Sequence, residues 1–303
     1  MQPRTLLVLV GPTAVGKTAV AIRLASHFHT EVVSADSRQV FREMEIGTAK
    51  PSPADRAKVR HHFIDTLSIT EAFDAGQYGE EALKVINSLF EAHRHAVLCG
   101  GSGLYIKALL EGFDDMPDIP PAVRQAVSAD YRDQGLEGLQ KELEAKDPDY
   151  YEVVDRRNPQ RLMRALEVIR HTGKPFSAYR QKTQRSLPFN VIKLGLDLDR
   201  EELYHRIDQR MDAMIAAGLF EEASRLFPLR HLPALQTVGY QEIFGFLEGK
   251  YDREEAVRLL KRNSRRYAKR QLTWFRRDPE IRWFHPDEFE AMVEFCEEKT
   301  DDS

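Results

Sequence analysis

Cysteine is scarce in this chain. The two that occur, Cys99 and Cys296, cannot form a disulfide framework, and neither has a His or Cys neighbour at metal-ligand spacing. We therefore expect both thiols to be packing residues. The paired His61 and His62 also lack a Cys or acidic partner at ligand spacing, which favours hydrogen-bonded loop histidines over a metal site.

Long apolar runs are missing as well. Residues 6–10 form a five-residue apolar run, too short for a signal peptide or a membrane span, and no later stretch reaches the length of either. We expect a cytoplasmic protein with no membrane contact. The formal net charge of -4 argues against a uniformly basic nucleic-acid binder, but it does not exclude a local basic face.

The chain is long enough for more than one folding unit. Its 303 residues, 42% of them hydrophobic, can bury one sizeable core. Because domains average about 150 residues, a second unit is expected.

A glycine-rich loop follows the apolar run and precedes a helix-like stretch over residues 19–28. Its residues are Gly11, Pro12, Thr13, Ala14, Val15, Gly16, Lys17 and Thr18. This is the spacing of a phosphate-binding loop, in which curled backbone amides and the lysine hold phosphate oxygens and the final hydroxyl binds Mg²⁺. The following helix adds the positive end of its dipole. The motif does not distinguish a nucleoside triphosphate from a diphosphate, and glycine-rich octets also occur by chance.

A carboxylate follows the second predicted strand. Residues 31–35 are strand-like and lead into Asp36. Ligands of open α/β sheets lie outside the carboxyl ends of the strands, so Asp36 is expected beside the bound phosphates. With equal weight, Asp36 and Ser37 could simply cap a turn.

A second glycine-rich turn follows the buried-type strand over residues 96–99. Residues 100–105 read Gly-Gly-Ser-Gly-Leu-Tyr, and Ser102 is their polar candidate. Glycines here let a ligand or another backbone approach closely, although a tight turn from strand to helix needs them too.

The middle of the chain changes character. Pro117, Pro120 and Pro121 mark a boundary, and the residues that follow are polar and helical without strand-like runs. Residues 191–196 return to a strand pattern. The sequence therefore predicts an α/β fold, a P-loop NTPase-like parallel sheet flanked by helices, with an inserted all-helical domain. The core would comprise residues 1–115 and 188–303, and the insertion residues 116–187.

Two further helices carry arginines. In the helix over residues 201–217, Arg206 and Arg210 point the same way, with Asp208 and Asp212 expected as ordinary surface partners. The helix that begins at Asn158-Pro159 has Gln160, Arg161 and Arg164 on one face, which suits either solvent or a cleft facing phosphates.

The strongest charge feature is a basic helix. Residues 258–277 contain nine Lys or Arg and no Asp or Glu, and most of these cations fall on one half of a helix. Leu260, Tyr267 and Trp274 recur on the other half, which we expect to be buried. A merely solvated helix usually mixes charges of both signs, so polyanion binding is favoured over a solvated face.

Taken in order, seven motifs resemble those of the bacterial tRNA dimethylallyltransferases (tRNA isopentenyltransferases), the IPP transferase family. They occupy residues 11–18, 34–41, 47–51, 100–105, 158–161, 238–240 and 269–276. Ser102 stands where the family usually has Thr, which keeps the hydroxyl. Phe41 stands where the family usually has Tyr, which loses one.

This resemblance implies a reaction. A dimethylallyl group would pass from dimethylallyl diphosphate to the exocyclic amine of the adenosine 3′ of the anticodon in tRNA, with release of diphosphate. Asp36 would act as general base on that weakly nucleophilic amine. Lys17, the loop amides, Mg²⁺ at Thr18 and Arg210 would neutralise the leaving diphosphate, and Ser102 would lie near the target base.

The resemblance also implies a tRNA partner, bound by a monomeric enzyme through several segments. The expected contacts are Asp36, Ser37, Arg38, Gln39, Ser102, Arg124, Gln160, Arg161, Leu162, Met163, Arg164, Thr237, Gly239 and Tyr240. The target adenine must swing out of its stack to reach the site, at a cost of a few kcal/mol.

Two other functions fit parts of the pattern. A nucleoside or small-molecule kinase would share the loop and Asp36 but would not need the basic helix. A non-catalytic RNA-binding module with a phosphate loop would share the loop and the helix.

Overall fold

In the computed structural model, residues 4–180 and 185–301 are described. They divide into two compact units. The core unit lies within Met1–Leu110 and Ser186–Ser303, and the helical unit within Glu111–Arg185. No described helix is both long and apolar enough to cross a membrane.

The core unit is built on a six-stranded sheet. Its strands are β1 (Thr5–Val10), β2 (Val32–Ser34), β3 (His61–His62), β4 (His95–Gly100), β5 (Asn190–Leu196) and β6 (Arg282–Phe284). The strand order is β3-β2-β4-β1-β5-β6, and every pair is parallel. In the register of the central pair, Thr5 lies opposite His95 and Val10 opposite Gly100. The carboxyl ends of β1, β2 and β4 therefore meet at one edge.

Helices of the core unit cover both faces of this sheet. In the two units together, the described helices are α1 (Lys17–His27), α2 (Pro53–Lys58), α3 (Ala75–Ala92), α4 (Gly103–Glu111), α5 (Pro121–Lys146), α6 (Pro148–Val153), α7 (Pro159–Thr172), α8 (Arg200–Ala216), α9 (Leu219–Leu226), α10 (Tyr240–Leu247), α11 (Arg253–Phe275) and α12 (Phe289–Asp301), of which α5, α6 and α7 belong to the helical unit. Leu7 and Leu9 of β1 pack towards α1, α8 and α12, while Leu6 and Val8 pack towards α3 and α4. Burial on both faces explains why β1 is apolar throughout, as in other parallel sheets.

A third cluster extends the core unit beyond the sheet. It joins the loop residues Val40, Phe41 and Met44 to apolar residues of α8, α9, α10 and α11. The fully buried Tyr240 lies in this cluster. The loop that follows Asp36 is thus packed against helices from the last third of the chain.

The helical unit comprises α5, α6 and α7 around a core of its own. Leu162, Leu166 and Ile169 of α7 are buried there, and α7 begins after the capping residue Asn158 and ends at the left-handed Gly173. Asp147 fixes the following turn, because its buried carboxylate accepts hydrogen bonds from the Tyr150 amide and from the amide and hydroxyl of Ser177.

The predicted fold class is confirmed: a parallel sheet flanked by helices, interrupted by a helical segment. Two strands were not predicted. His61 and His62, expected in a loop, form the edge strand β3, where they are hydrogen-bonded to Val59 and Glu31. The short strand β6 carries no sequence pattern that separates it from a loop. The thiol of Cys296 is buried as expected, and that of Cys99 is half-buried.

Asp147→Ala should destabilise the helical unit. The substitution leaves the buried Tyr150 amide and the half-buried Ser177 amide without acceptors, at a cost of about 1–3 kcal/mol. Asp149→Ala is the matched control, since Asp149 is an exposed acid in the same helix. Urea unfolding followed by circular dichroism measures both variants, and equal losses of stability would contradict the anchoring role of Asp147.

Candidate active site

The glycine-rich loop leaves β1 and enters α1 in the conformation that its sequence predicts. Gly11 and Gly16 have φ angles of 151° and 104°, which disfavour residues with a side chain. A Cβ atom on Gly11 would also lie 2.7 Å from the carbonyl oxygen of Leu196 in β5. The loop therefore packs closely against the end of β5 before it enters the first turn of α1.

Lys17, the first residue of α1, folds back over this loop. Its ammonium donates to the carbonyl oxygens of Gly11 at 2.9 Å and Pro12 at 2.7 Å. Burial lowers the pKa of Lys17 to about 8, and the nearby Arg210 acts in the same direction. Such a partly desolvated ammonium gains strongly from an anionic ligand.

Gln271 of α11 fastens the loop from the other side. Its buried side-chain oxygen accepts from the Thr13 amide at 2.8 Å, and its amide nitrogen donates to the Gly101 carbonyl at 3.0 Å. A Cβ atom on Gly101 would lie 2.2 Å from that nitrogen, and one on Gly103 2.2 Å from the Trp274 ring. Close approach of α11 therefore explains two glycines of the second glycine-rich turn.

Asp36 leaves β2 at the same edge of the sheet. One carboxylate oxygen, Oδ1, accepts from the amides of Arg38 at 2.9 Å and Gln39 at 3.3 Å. The structure therefore agrees with the alternative that Asp36 caps a turn, and it does so through the oxygen Oδ1. Asp36 also lines cavities at the loop, so it caps its turn and faces the site at once.

Ser102 supports this turn rather than lining the cavities. Its hydroxyl oxygen accepts from the Ser37 amide at 2.9 Å. The Gln39 side chain donates to the carbonyl oxygens of Thr48 and Ala49, both at 3.2 Å. The turn over residues 36–39 is thus held at both ends by neighbouring loops.

Within the described part of the core unit, Asp36 lines three cavities beside the loop. The smallest, of about 50 Å³, includes Ser34 and Cys99 in its lining, and the other two are larger. The loop cavity, of about 360 Å³, is lined by residues that include Gly16, Lys17, Thr18, Gln39, Gly101 and Gln271. The side cavity has a volume of about 90 Å³ and two different walls. Its apolar wall consists of Ile207, Met211, Met214, Leu219 and Val238. Its polar wall includes Arg38, Gly47, Thr48, Thr237 and Gly239. The two cavities share Thr13, Ala14, Asp36, Arg210 and Tyr267.

Arg210 of α8 is a buried cation of this site, and its guanidinium is incompletely hydrogen-bonded among the described residues. Its Nε atom is buried and has no hydrogen-bond partner among the described residues. Burial lowers the pKa of Arg210, and Asp36 opposes this shift. Buried polar groups are normally hydrogen-bonded, so this nitrogen points to an anionic ligand held between Arg210 and Lys17.

In the basic helix α11, some of the cations that were expected to bind a polyanion are paired with acids instead. Lys261 pairs with Asp212 at 2.6 Å, and Arg265 pairs with Asp208 at 2.6 Å, so α8 supplies acids to the part of α11 that has none of its own. Asp208 and Asp212 are therefore partners of α11, while Arg206 pairs with Glu202. The cations that remain outward line a shallow basic groove, formed by Arg266, Lys269, Arg270, Thr273, Trp274 and Arg277.

Some residues expected to touch tRNA are buried. The side chains of Leu162 and Met163 lie in the core of the helical unit, and that of Tyr240 is fully buried in the core unit. Their side chains therefore offer little surface to a ligand, and their contact with tRNA stays a prediction. Gln160, Arg161 and Arg124 are exposed on the helical unit, and Arg164 is half-buried beside Glu167.

Comparison with known proteins decides the family. The IPP transferase family matches residues 39–278, more than half of the chain. A tRNA dimethylallyltransferase of Cytophaga hutchinsonii is 52% identical over 293 residues, which cover 97% of this chain and 96% of that protein. The chain belongs to the IPP transferase family. A second relative, the tRNA dimethylallyltransferase of Christiangramia forsetii, is 50% identical over 283 residues, covering 93% of this chain and 94% of that protein.

Solved structures agree with this membership of the IPP transferase family. The crystal structure of a full-length tRNA isopentenylpyrophosphate transferase from Bacillus halodurans matches with a TM-score of 0.73 and 36% identity, covering 99% of this chain and 97% of that one. The resemblance drawn from the motifs is confirmed, and nothing in the comparisons favours a kinase.

Tyr267 and Gln271 are among the site residues that the sequence pattern missed. The seven-residue spacing assigned Tyr267 to the buried half of α11, but it lines both cavities, and burial raises its pKa to about 12. Gln271 was part of a family motif without an assigned role. The close approach that Gly101 permits was the only signal for it.

The pKa of Lys17 should set the pH dependence of anion binding to this IPP transferase. Lys17 is charged below about pH 8, so affinity for inorganic diphosphate should fall as the pH rises through this value, by up to about tenfold per pH unit. Calorimetric titration from about pH 7 to 9.5 measures the profile. Lys17→Arg, which keeps its charge throughout, is the control for ionisation of diphosphate itself, and parallel profiles would exclude Lys17 as the titrating group.

Proposed function

We propose that this protein transfers a dimethylallyl group from dimethylallyl diphosphate to the N6 amine of the adenosine 3′ of the anticodon in tRNA. The named relatives are tRNA dimethylallyltransferases, and such a transferase requires dimethylallyl diphosphate as its co-substrate. The proposal adds the roles of individual residues to this activity.

These roles rest on one observation: the two cavities meet at Asp36 and Arg210, which line both of them. The loop cavity presents Lys17, Arg210 and the amides at the start of α1, a set that suits a diphosphate. The side cavity offers an apolar wall. A cavity of about 150 Å³ holds a benzene ring, so a side cavity of about 90 Å³ suits a branched group of five carbons.

A donor placed in this way would have its reacting carbon near the junction. The adenine amine would attack that carbon, forming a C–N bond as the bond between carbon and diphosphate oxygen breaks. The diphosphate would leave with the bonding electron pair, and Lys17 and Arg210 would stabilise its added charge. Asp36 would accept the proton that the amine loses, through the carboxylate oxygen that does not cap the turn.

Mg²⁺ is compatible with the donor set at this site. No cluster of three or more His, Cys, Asp or Glu side chains within residues 4–180 and 185–301 is suited to hold a metal. Mg²⁺ does not need one, because it keeps several waters and binds substrate phosphates. Thr18, which lines the loop cavity, would supply a hydroxyl ligand, and the ion would add positive charge to the leaving group.

For tRNA, two surfaces of the core unit support binding. Arg38, Thr237 and Gly239 line the polar wall of the side cavity next to Asp36, where a flipped adenine would lie. The basic groove of α11 suits the phosphate backbone. On the helical unit, we propose that Arg124, Gln160, Arg161 and Arg164 contact tRNA.

We propose that the enzyme acts as a monomer. Because tRNA is the acceptor, we propose that the protein acts in the cytoplasm.

The activity is tested by incubating the protein with tRNA, dimethylallyl diphosphate and Mg²⁺, followed by mass spectrometry of the digested nucleosides. We expect one adenosine that has exchanged a hydrogen for a dimethylallyl group. Parallel incubation with ATP tests the kinase alternative, and phosphate transfer to a small acceptor would contradict the proposal.

Asp36→Asn separates the two roles of Asp36. The amide oxygen can still cap the amides of Arg38 and Gln39, but the basic carboxylate is lost. We expect kcat to fall about 10²–10⁴-fold with tRNA binding nearly unchanged, as for loss of a general base. Asp36→Ala removes the cap as well and should also weaken tRNA binding. An asparagine variant with near-normal turnover would refute the assignment.

Arg266→Gln should weaken tRNA binding and also reduce its salt dependence, because one phosphate contact is lost. Arg266 is exposed in the basic groove, so its loss should lower the slope of log affinity against log salt by about one. Arg258→Gln is the matched control, because Arg258 lies on the same helix but pairs with Glu255. Filter binding at several salt concentrations measures the slopes, and identical slopes for both variants would exclude the groove as a phosphate contact.

A further inference from the structure

Glu222 of α9 is a buried acid next to the site to which neither the motifs nor the proposed mechanism gives a role. Its carboxylate accepts from the amides of Glu45 at 3.1 Å, Ile46 at 2.8 Å and Gly47 at 2.9 Å. It also accepts from the Tyr240 hydroxyl at 2.7 Å. The residue is only 2% exposed.

This carboxylate is held by four donors from two distant stretches of the chain. A buried carboxylate is tolerated only when its oxygens are hydrogen-bonded, and bonds to a charged acceptor are about twice as strong as neutral ones. The three consecutive amides of residues 45–47 are thereby fixed in one direction. Because the Tyr240 hydroxyl shares the oxygen Oε1 with the Gly47 amide, the two stretches are tied at one atom.

Packing also holds residues 45–47 and Tyr240 together. A Cβ atom on Gly47 would lie 2.6 Å from the Tyr240 ring, so the loop backbone rests directly on that ring. Tyr240 begins α10 after the turn at Gly239, whose amide donates to the buried Glu242 at 2.8 Å. Asn263 of α11 donates to the same carboxylate of Glu242 at 2.7 Å. The two stretches therefore have little freedom to move independently.

Both stretches end in the polar wall of the side cavity. Gly47 and Thr48 supply one part of it, and Thr237 and Gly239 supply another, with the apolar Val238 between them. None of these five residues lines the loop cavity, where Lys17 and Thr18 lie. Glu222 thus holds the wall where the acceptor adenine is proposed to lie more directly than it holds the diphosphate end.

We propose that Glu222 is a positioning residue for the tRNA acceptor: it holds the 45–48 and 237–240 segments in the register that receives the flipped adenine. This inference rests on the proposed function. It assigns Tyr240 a role through Glu222 instead of a direct contact with RNA, in line with the burial of Tyr240.

Glu222→Gln tests this role, because it keeps the size of the side chain but replaces one acceptor oxygen by a donor that faces amide donors. We expect the KM for tRNA to rise about tenfold, as expected when hydrogen bonds to a buried charge are lost, with the KM for dimethylallyl diphosphate changed less than about twofold. Glu221→Gln is the matched control, since Glu221 is the exposed acid next to it on α9. This control should leave both constants unchanged.

A purely structural role would give a different result. A less stable but otherwise normal enzyme would lose kcat through its active fraction and keep both KM values, and this outcome would overturn the inference. So would equal rises in the two KM values. If the wild-type protein itself transfers no dimethylallyl group, the proposed function fails, and equilibrium binding of tRNA to the same variants still tests the positioning role.

Tyr240→Phe keeps the inference testable should Glu222→Gln not fold. It removes one of the four donors and leaves the carboxylate with its three amides. We expect a smaller rise in the KM for tRNA in the same direction, again without a matching change for the donor. An unchanged KM for tRNA in a folded Tyr240→Phe variant would overturn the proposal.

Discussion

The bridge made by Gln271 is the interaction on which the rest of this site depends. One side chain on α11 accepts from the amide of Thr13 and donates to the carbonyl of Gly101, so the loops after β1 and β4 are fixed to the same helix. Both loops lie at the carboxyl edge of a sheet that is apolar on both faces. None of the residues that line the two cavities lies in the six strands, so the charged and polar side chains of the site are brought to this edge from loops and from α1, α2, α8 and α11.

This edge of the sheet places a charged surface next to an apolar one. Lys17 and Arg210 are cations that burial disfavours, as their lowered pKa values indicate. Asp36 partly offsets this cost, and a diphosphate would offset it further. The nearby apolar wall of the side cavity repels the same diphosphate and suits a hydrocarbon group. The site can therefore orient a donor that is ionic at one end and apolar at the other.

Helix α11 illustrates where reasoning from sequence was incomplete. The lack of acids over residues 258–277 suggested a face free to bind a polyanion, but Asp208 and Asp212 of α8 neutralise Arg265 and Lys261. Its buried stripe is Leu260, Ser264, Ala268, Gln271 and Phe275, and so includes polar residues that a hydrophobic pattern cannot identify. Charge partners and polar contacts depend on which helix lies alongside, and helical periodicity holds no information on that.

Local sequence by itself determined the phosphate loop, the apolar strands, the helical interruption and the family, because each rests on spacing within a short stretch. The positive φ angles of Gly11 and Gly16 follow from such spacing. Only the tertiary structure decided that Asp36 both caps its turn and faces the cavities, that Ser102 supports Ser37, and that Tyr240 is buried against Glu222. These relations join residues from distant parts of the chain, and they arise from packing against the completed sheet.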